Sequence, residues 1–173
     1  MNIISGKYKR RKLLYPKQRQ FRPTKSIVRE AVFSMIGPNI EDASFLDLCS
    51  GTGAMGLEAE SRGASRVVCV DRDSRYLTQN VELLNASAHV VRSDAIRYLK
   101  TIDQPFDYIY FDPVWSDHAI YQWGIELILK SDALVQHGQL FVEYDSFNLK
   151  LHFPDILTRD YRYGTSMVSL ILN

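Results

Sequence analysis

A doubly wound α/β domain with a mostly parallel sheet is the fold that this sequence predicts. Three observations predict it. From Ser44 onward, short apolar strands alternate with amphipathic helices, and the connections between them are short. A glycine-rich turn, Gly51-Thr52-Gly53-Ala54-Met55-Gly56, follows the first of these strands and opens a helix. Repeated βα units of this kind build a parallel sheet covered on both faces. The last two strand candidates are joined at Gly164-Thr165, a hairpin signal, so the sheet should finish with an antiparallel pair.

The elements follow in order. Asn2–Ser5 and Lys12–Tyr15 read as two short strands around a basic turn at Gly6–Arg11, an N-terminal basic β-hairpin. Arg22-Pro23-Thr24 offers a rigid entry and an N-cap hydroxyl, and Lys25–Ile36 reads as a helix stopped by Gly37-Pro38. Ile27, Ala31, Phe33 or Ser34, and Met35 mark its expected buried side. The spacing then predicts strands at Ser44–Leu48, Arg66–Val70, Ala88–Val91, Phe106–Phe111 and Gln139–Tyr144. Helices are expected at Ala54–Arg62, Ser74–Leu84, Ala95–Lys100 and Ile120–Lys130, and the terminal hairpin at Ile156–Tyr163 and Ser166–Leu172. Residues 1–173 form one domain: an extension over 1–37 and a Rossmann-like core over 44–173. A chain of 173 residues can bury most of its unfolded surface in one core.

Composition narrows the function. No apolar run reaches the length needed to span a bilayer, and the basic N-terminus lacks the apolar stretch of a secretion signal. Cys49 and Cys69 each sit in an apolar run and read as reduced core thiols of a cytoplasmic protein. Two cysteines are too few for a disulfide scaffold or a cysteine-based zinc site, and the four histidines show no ligand spacing, so no metal is expected. The net charge of +1 hides an asymmetry. Residues 1–30 carry ten basic side chains and one acid, a net +9, which leaves −8 for the rest. Such a pole attracts a polyanion by steering and counterion release. Its interleaved Ile3, Ile4, Tyr8, Leu13, Leu14, Tyr15 and Phe21 argue for a folded nucleic-acid element rather than a solvated tail. Lys7, Lys9, Arg10, Arg11, Lys12, Arg19, Arg22, Thr24 and Arg29 are its candidate RNA contacts.

The glycine turn matches G-x-G-x-x-G, and Asp71 ends the next strand twenty residues after Gly51. That is where an acid accepts both ribose hydroxyls of an adenosine. A dinucleotide site keeps the strand before the first glycine apolar, because the backbone there approaches a pyrophosphate. Here Asp47 lies four residues before Gly51. Its carboxylate repels phosphate and suits the ammonium and sulfonium of S-adenosylmethionine. Asp94, just past the third strand, is placed to accept from the adenine amine. Gly53, Ser50, Arg72 and Ser93 complete the expected cofactor site.

The fourth strand ends Tyr110-Phe111-Asp112-Pro113-Val114-Trp115, at the edge where open α/β sheets meet their ligands. An exocyclic base amine is a poor nucleophile because its lone pair is delocalised into the ring. Asp112 and the backbone carbonyl that follows it can accept its two N–H groups and turn the lone pair toward a methyl donor, an alignment worth several kcal/mol. Trp115 offers a face for a flipped base, and Asp112 is the candidate proton acceptor.

Asn2-Ile3-Ile4-Ser5-Gly6-Lys7-Tyr8, Arg22-Pro23-Thr24, Val28-Arg29-Glu30-Ala31-Val32-Phe33, Asp47-Leu48-Cys49-Ser50-Gly51-Thr52-Gly53-Ala54 and Gly56-Leu57-Glu58-Ala59 together resemble the bacterial RsmD family over essentially the whole chain. These are small-subunit (16S) ribosomal RNA methyltransferases acting on the N2 amine of a guanine. The resemblance implies the class I S-adenosylmethionine-dependent methyltransferase fold, that cofactor, and an rRNA partner within an assembled or assembling 30S particle; a monomer with no membrane partner is expected beside it. It places Asp47, Gly51, Gly53, Asp71 and Asp94 in the cofactor site and the family's Asp-Pro-Pro-(Tyr/Phe) motif on Asp112, Pro113, Val114 and Trp115. Val114 replaces the second proline and keeps its carbonyl but not the fixed φ; Trp115 enlarges the stacking face. Glu60 stands on a helix where an apolar residue is expected. Competing readings are a methyltransferase acting on adenine or cytosine in DNA or RNA, a catalytically altered RNA-binding assembly factor, and a nicotinamide oxidoreductase, against which Asp47 weighs.

Overall fold

The computed structural model describes residues 1–16, 24–114, 117–145 and 158–172. The central strand, β1 (Ser44–Leu48), pairs in parallel with β2 (Arg66–Asp71) on one side and β4 (Phe106–Phe111) on the other. β3 (His89–Arg92) extends the sheet beyond β2, and β5 (Leu134–Asp145) beyond β4, both parallel. β7 (Ser166–Leu172) then runs antiparallel to β5, and β6 (Thr158–Tyr163) closes that edge against β7. The order is therefore β3-β2-β1-β4-β5-β7-β6, the mostly parallel sheet with an antiparallel end that the alternation predicts.

Helices cover both faces, which is why the inner strands β1 and β4 are buried along nearly their whole length rather than at alternate residues. α1 (Ser26–Ile36), α2 (Ala54–Ser61) and α3 (Arg75–Leu84) join one core with Phe45, Val67, Cys69, Tyr108, Tyr110 and Phe141. α4 (Ala95–Leu99) and α5 (His118–Lys130) pack on the other face with Leu46, Leu48, Val70, Ile109, Phe111 and Val142. Gly56 sets the seat of α2. A Cβ there would stand 2.2 Å from the Cys69 sulfur and 3.4 Å from the Asp47 Cβ, so only glycine lets the helix lie this close to β1 and β2.

The N-terminal extension departs from the expected hairpin. Its two strands reduce to one antiparallel bridge between Asn2 and Lys12. Around that bridge the N–H groups of Ile3, Arg10 and Leu13 donate to the carbonyls of Arg11, Ile3 and Met1, each at 2.9 Å, and four further donors go to α2. Ile4 and Ser5 N–H donate to the Glu58 carboxylate at 2.7 and 3.0 Å, Tyr8 N–H to Ser61 Oγ at 2.9 Å, and Lys7 N–H to the Ser61 carbonyl at 2.7 Å. Glu60 belongs to the same seam: Lys7 Nζ, Tyr8 OH and the N–H groups of Ser87 and Ala88 all donate to it within 3.0 Å. Burial alone would raise its pKa, but these donors hold it below the usual carboxylate value. The acid that looked out of place on an apolar helix is thus the anchor of the extension.

Three smaller expectations also change. α1 starts at Ser26 with Lys25 at the N-cap, and no side chain caps it, so Thr24 does not. Its buried side is Val28, Arg29, Val32, Phe33 and Ile36, while Ile27 is 55% exposed. β5 begins at Leu134 rather than Gln139, because a register shift carries the strand through His137, with φ +65°, and Gly138. The first residues expected in β6 lie outside the described residues. Among the described residues no helix is long and apolar enough to cross a membrane.

Candidate active site

Four carboxylates gather at the C-terminal edge of the parallel strands. Asp47 lies within β1, Asp71 ends β2, Asp94 follows β3 and Asp112 follows β4. Cys49, between β1 and the glycine turn, sits among them. Burial raises its thiol pKa well above the ordinary value, and Asp71, Asp112, Asp47 and Asp94 each push it further in the same direction. One side chain therefore senses all four acids, although they come from separate strands.

The turn is built for close approach to a ligand. Cys49, Gly51 and Gly53 adopt φ of +62°, +56° and +78°. Gly53 is the N-cap of α2, and a Cβ there would meet Leu77 of α3 at 2.5 Å. Ser50 is tied to β2 through N–H and Oγ bonds to the Val70 carbonyl, at 3.0 and 3.2 Å. Asp71 accepts Gly51 N–H at 2.7 Å with one oxygen and Asp73 N–H at 2.8 Å with the other, so it holds the turn as well as lining it.

Asp47 is 2% exposed and accepts Gly56 N–H at 2.9 Å. Burial pushes its carboxyl up to about 7; the Gly56 N–H opposes the rise and Asp71 adds to it. A group poised there ionises fully when a cation is brought beside it. The acid-lined turn fits a cationic sulfonium cofactor and opposes a pyrophosphate. Asp94 is more occupied than expected. It caps α4 through Arg97 N–H, and its other oxygen pairs with Arg72, which holds its pKa below the usual value. An adenine amine at this carboxylate would have to compete with Arg72, a well-solvated guanidinium. Ser93 Oγ bonds the Asp94 carbonyl, and Ser93 N–H donates to the Asp71 carbonyl at 3.1 Å, joining the ends of β2 and β3.

Asp112 is half-buried, and its N–H reaches the Leu48 carbonyl at 3.3 Å. Pro113 is buried and Val114 is 74% exposed; Trp115 lies outside the described residues. Sequence reasoning missed Tyr121. This fully buried tyrosine of α5 places its hydroxyl 3.1 Å from both the Pro113 and Glu143 carbonyls. Burial, Asp112 and Glu143 all raise its pKa, so it remains a donor. Its only sequence signal is position: it shares the inward face of α5 with Ile125 and Ile128, where a hydroxyl needs a partner. Tyr110 and Phe111 are core residues of β4, buried on opposite faces of the sheet.

A family model described as "Conserved hypothetical protein 95" matches residues 1–171. The chain belongs to this family, the RsmD family. A Buchnera aphidicola (subsp. Baizongia pistaciae) relative named Ribosomal RNA small subunit methyltransferase D is 30% identical, covering 100% of this chain and 92% of its own. A protein of the same name from Escherichia coli K12 is 34% identical over 86% of this chain and 76% of its own. The solved structure of the putative methyltransferase yhhF from Escherichia coli aligns with a TM-score of 0.88 at 31% identity, covering 100% of this chain and 97% of its own. The fold is that of class I S-adenosylmethionine-dependent methyltransferases.

Within this RsmD-family chain, the basic residues expected to meet RNA divide. Lys9, Arg10, Arg11 and Lys12 are exposed on the N-terminal loop, and Arg11 also reaches the Leu83 carbonyl at 2.8 Å. Lys7 is split between solvent and Glu60. Arg29 is a correction: it is 2% exposed, donates to the Asn2 carbonyl at 3.0 Å and faces Glu58 at 3.7 Å. A guanidinium shut in beside a carboxylate holds the extension to α1 and α2 and is not a surface contact. Thr24 is half-buried and, with Lys25 and Arg29, lines a cavity of about 630 Å³ between α1 and the N-terminal loop. Arg19 and Arg22 lie outside the described residues.

Proposed function

We propose that this protein transfers a methyl group from S-adenosylmethionine to the N2 amine of a guanine in small-subunit ribosomal RNA. One observation carries the reading: Asp112 and its following peptide stand at the end of β4 in the same cluster as Asp47, Asp71 and Asp94, beside the glycine turn. The relatives' name, Ribosomal RNA small subunit methyltransferase D, supports the substrate class.

When bound, S-adenosylmethionine would supply the electrophilic methyl group and, as its S–CH3 bond breaks, leave as S-adenosylhomocysteine. Asp47 faces its ammonium, the Gly51–Gly53 backbone gives it room, and Asp71 and Asp94 take the ribose and adenine polar groups. The Asp112 carboxylate and the Pro113 carbonyl accept the two N–H groups of the target amine, which turns its lone pair out of conjugation and toward the methyl carbon. Tyr121 fixes that carbonyl from behind with a proton it does not give up. Once the amine carries the new bond, Asp112 takes its surplus proton. Trp115 stacks on the flipped base. The exposed Lys9–Lys12 run docks on phosphates, and the substrate is the rRNA within a 30S particle, met in the cytosol by a monomeric enzyme.

Labelled S-adenosylmethionine offered to small subunits that lack the modification tests the chemistry, with N2-methylguanosine as the expected product. The docking surface has its own test. Replacing Lys9, Arg10, Arg11 and Lys12 by Ala is expected to weaken RNA binding and to flatten log Kd against log[salt] by about 2–4 units, roughly one for each phosphate no longer neutralised. An unchanged slope places the docking surface elsewhere.

A further inference from the structure

Asn80 is an amide where α3 calls for a hydrocarbon. It is fully buried on the same helix face as Leu77 and Leu84. A buried amide destabilises the fold unless its hydrogen bonds are made, and here they go to two distant segments. Leu14 N–H donates to Oδ1 at 2.7 Å, and Nδ2 donates to the Leu14 carbonyl at 2.9 Å and to the Thr52 carbonyl at 2.9 Å. One side chain thus closes a two-bond clamp on the N-terminal extension and holds the glycine turn with its remaining donor.

Neighbouring contacts converge on the same helix. Leu77, one turn earlier, is the side chain against which Gly53 packs. Arg11, from the basic loop, bonds the carbonyl of Leu83. α3 therefore touches the cofactor turn at Thr52 and Gly53 and the basic extension at Arg11 and Leu14.

We infer that Asn80 is a positioning residue that couples cofactor binding to RNA engagement. The inference rests on the proposed function, in which the turn binds S-adenosylmethionine and the extension binds RNA. A cofactor held against Gly51–Gly53 fixes the Thr52 carbonyl; the amide bonded to it then holds Leu14, and with it the extension, in one orientation. An RNA that selects that orientation tightens the cofactor site by the same factor, because coupling free energy is reciprocal. A hydrocarbon would fill the space and carry none of this.

The test is titration of S-adenosylhomocysteine into the full chain, alone and with excess small ribosomal subunits that lack the modification, whose rRNA is the RNA ligand. The native protein is expected to bind S-adenosylhomocysteine at least fivefold more tightly with RNA present. In Asn80→Ala the RNA effect should fall below twofold, although each ligand still binds. Should Asn80→Ala fail to fold, Leu14→Pro carries the test, since it removes the amide donor from a half-exposed residue and leaves Asn80 in place; the same loss is expected. Equal S-adenosylhomocysteine affinity with and without RNA in a native protein that binds both overturns the coupling, as does a fivefold effect that survives in the folded variants. A native protein that binds RNA or S-adenosylhomocysteine not at all overturns the functional reading itself, a distinguishable result.

Discussion

Asp112→Ala is expected to lower methyl transfer about 100-fold or more while leaving S-adenosylhomocysteine affinity within about threefold. The expectation follows from where the side chain sits. Asp112 follows β4, on the far side of β1 from Asp71 and Asp94, and in the proposed reading it serves the target amine rather than the adenosine. Its loss removes one of two acceptors that set the amine's rotation; the other, the Pro113 carbonyl, remains held by Tyr121. Single-turnover transfer beside calorimetric binding separates the two effects. A large fall in cofactor affinity with normal turnover would move Asp112 out of the reacting centre.

Cofactor affinity is expected to rise with pH through neutrality. Asp47 is held up to about 7 by burial, and a ligand ammonium binds its ionised form. With that pKa the ionised fraction grows about eightfold from pH 6 to 7.5, and affinity should follow it. The sign on stability is opposite. The folded pKa exceeds the unfolded one, so the native state binds the proton more tightly, and the unliganded fold loses this contribution as pH rises from about 4 through 7. Asp47→Asn should bind weakly with a flat profile. A flat profile in the native protein would mean that Asp47 does not meet the ammonium and serves α2 alone.

Much of this arrangement was legible in the residues. Ser44–Leu48, Phe106–Phe111 and Ser166–Leu172 have the predicted bounds because apolar runs between turn residues admit one reading. The acids at the strand ends were visible because a carboxylate after an apolar strand has few structural reasons to be there. What was hidden depended on partners distant in sequence. The N-terminal segments read as strands from their apolar residues, and they do bond to each other around one bridge, yet Ile4, Ser5 and Tyr8 donate to Glu58 and Ser61, more than fifty residues away. Arg29 counted as a surface charge until Glu58 enclosed it. Tyr121 and Asn80 occupy core positions of helices, and nothing local marks which carbonyl a buried hydroxyl or amide will find. Periodicity tells that a side chain faces inward; only the packed fold tells what it meets.

The most direct test of the central claim is transfer of labelled methyl from S-adenosylmethionine to small ribosomal subunits lacking the modification, with naked rRNA beside them. Label on the N2 of a single guanine, with particles preferred over naked rRNA, is the predicted result. No label on either substrate from a protein that still binds S-adenosylmethionine would contradict it, and Val114 would then mark a changed target or a lost activity.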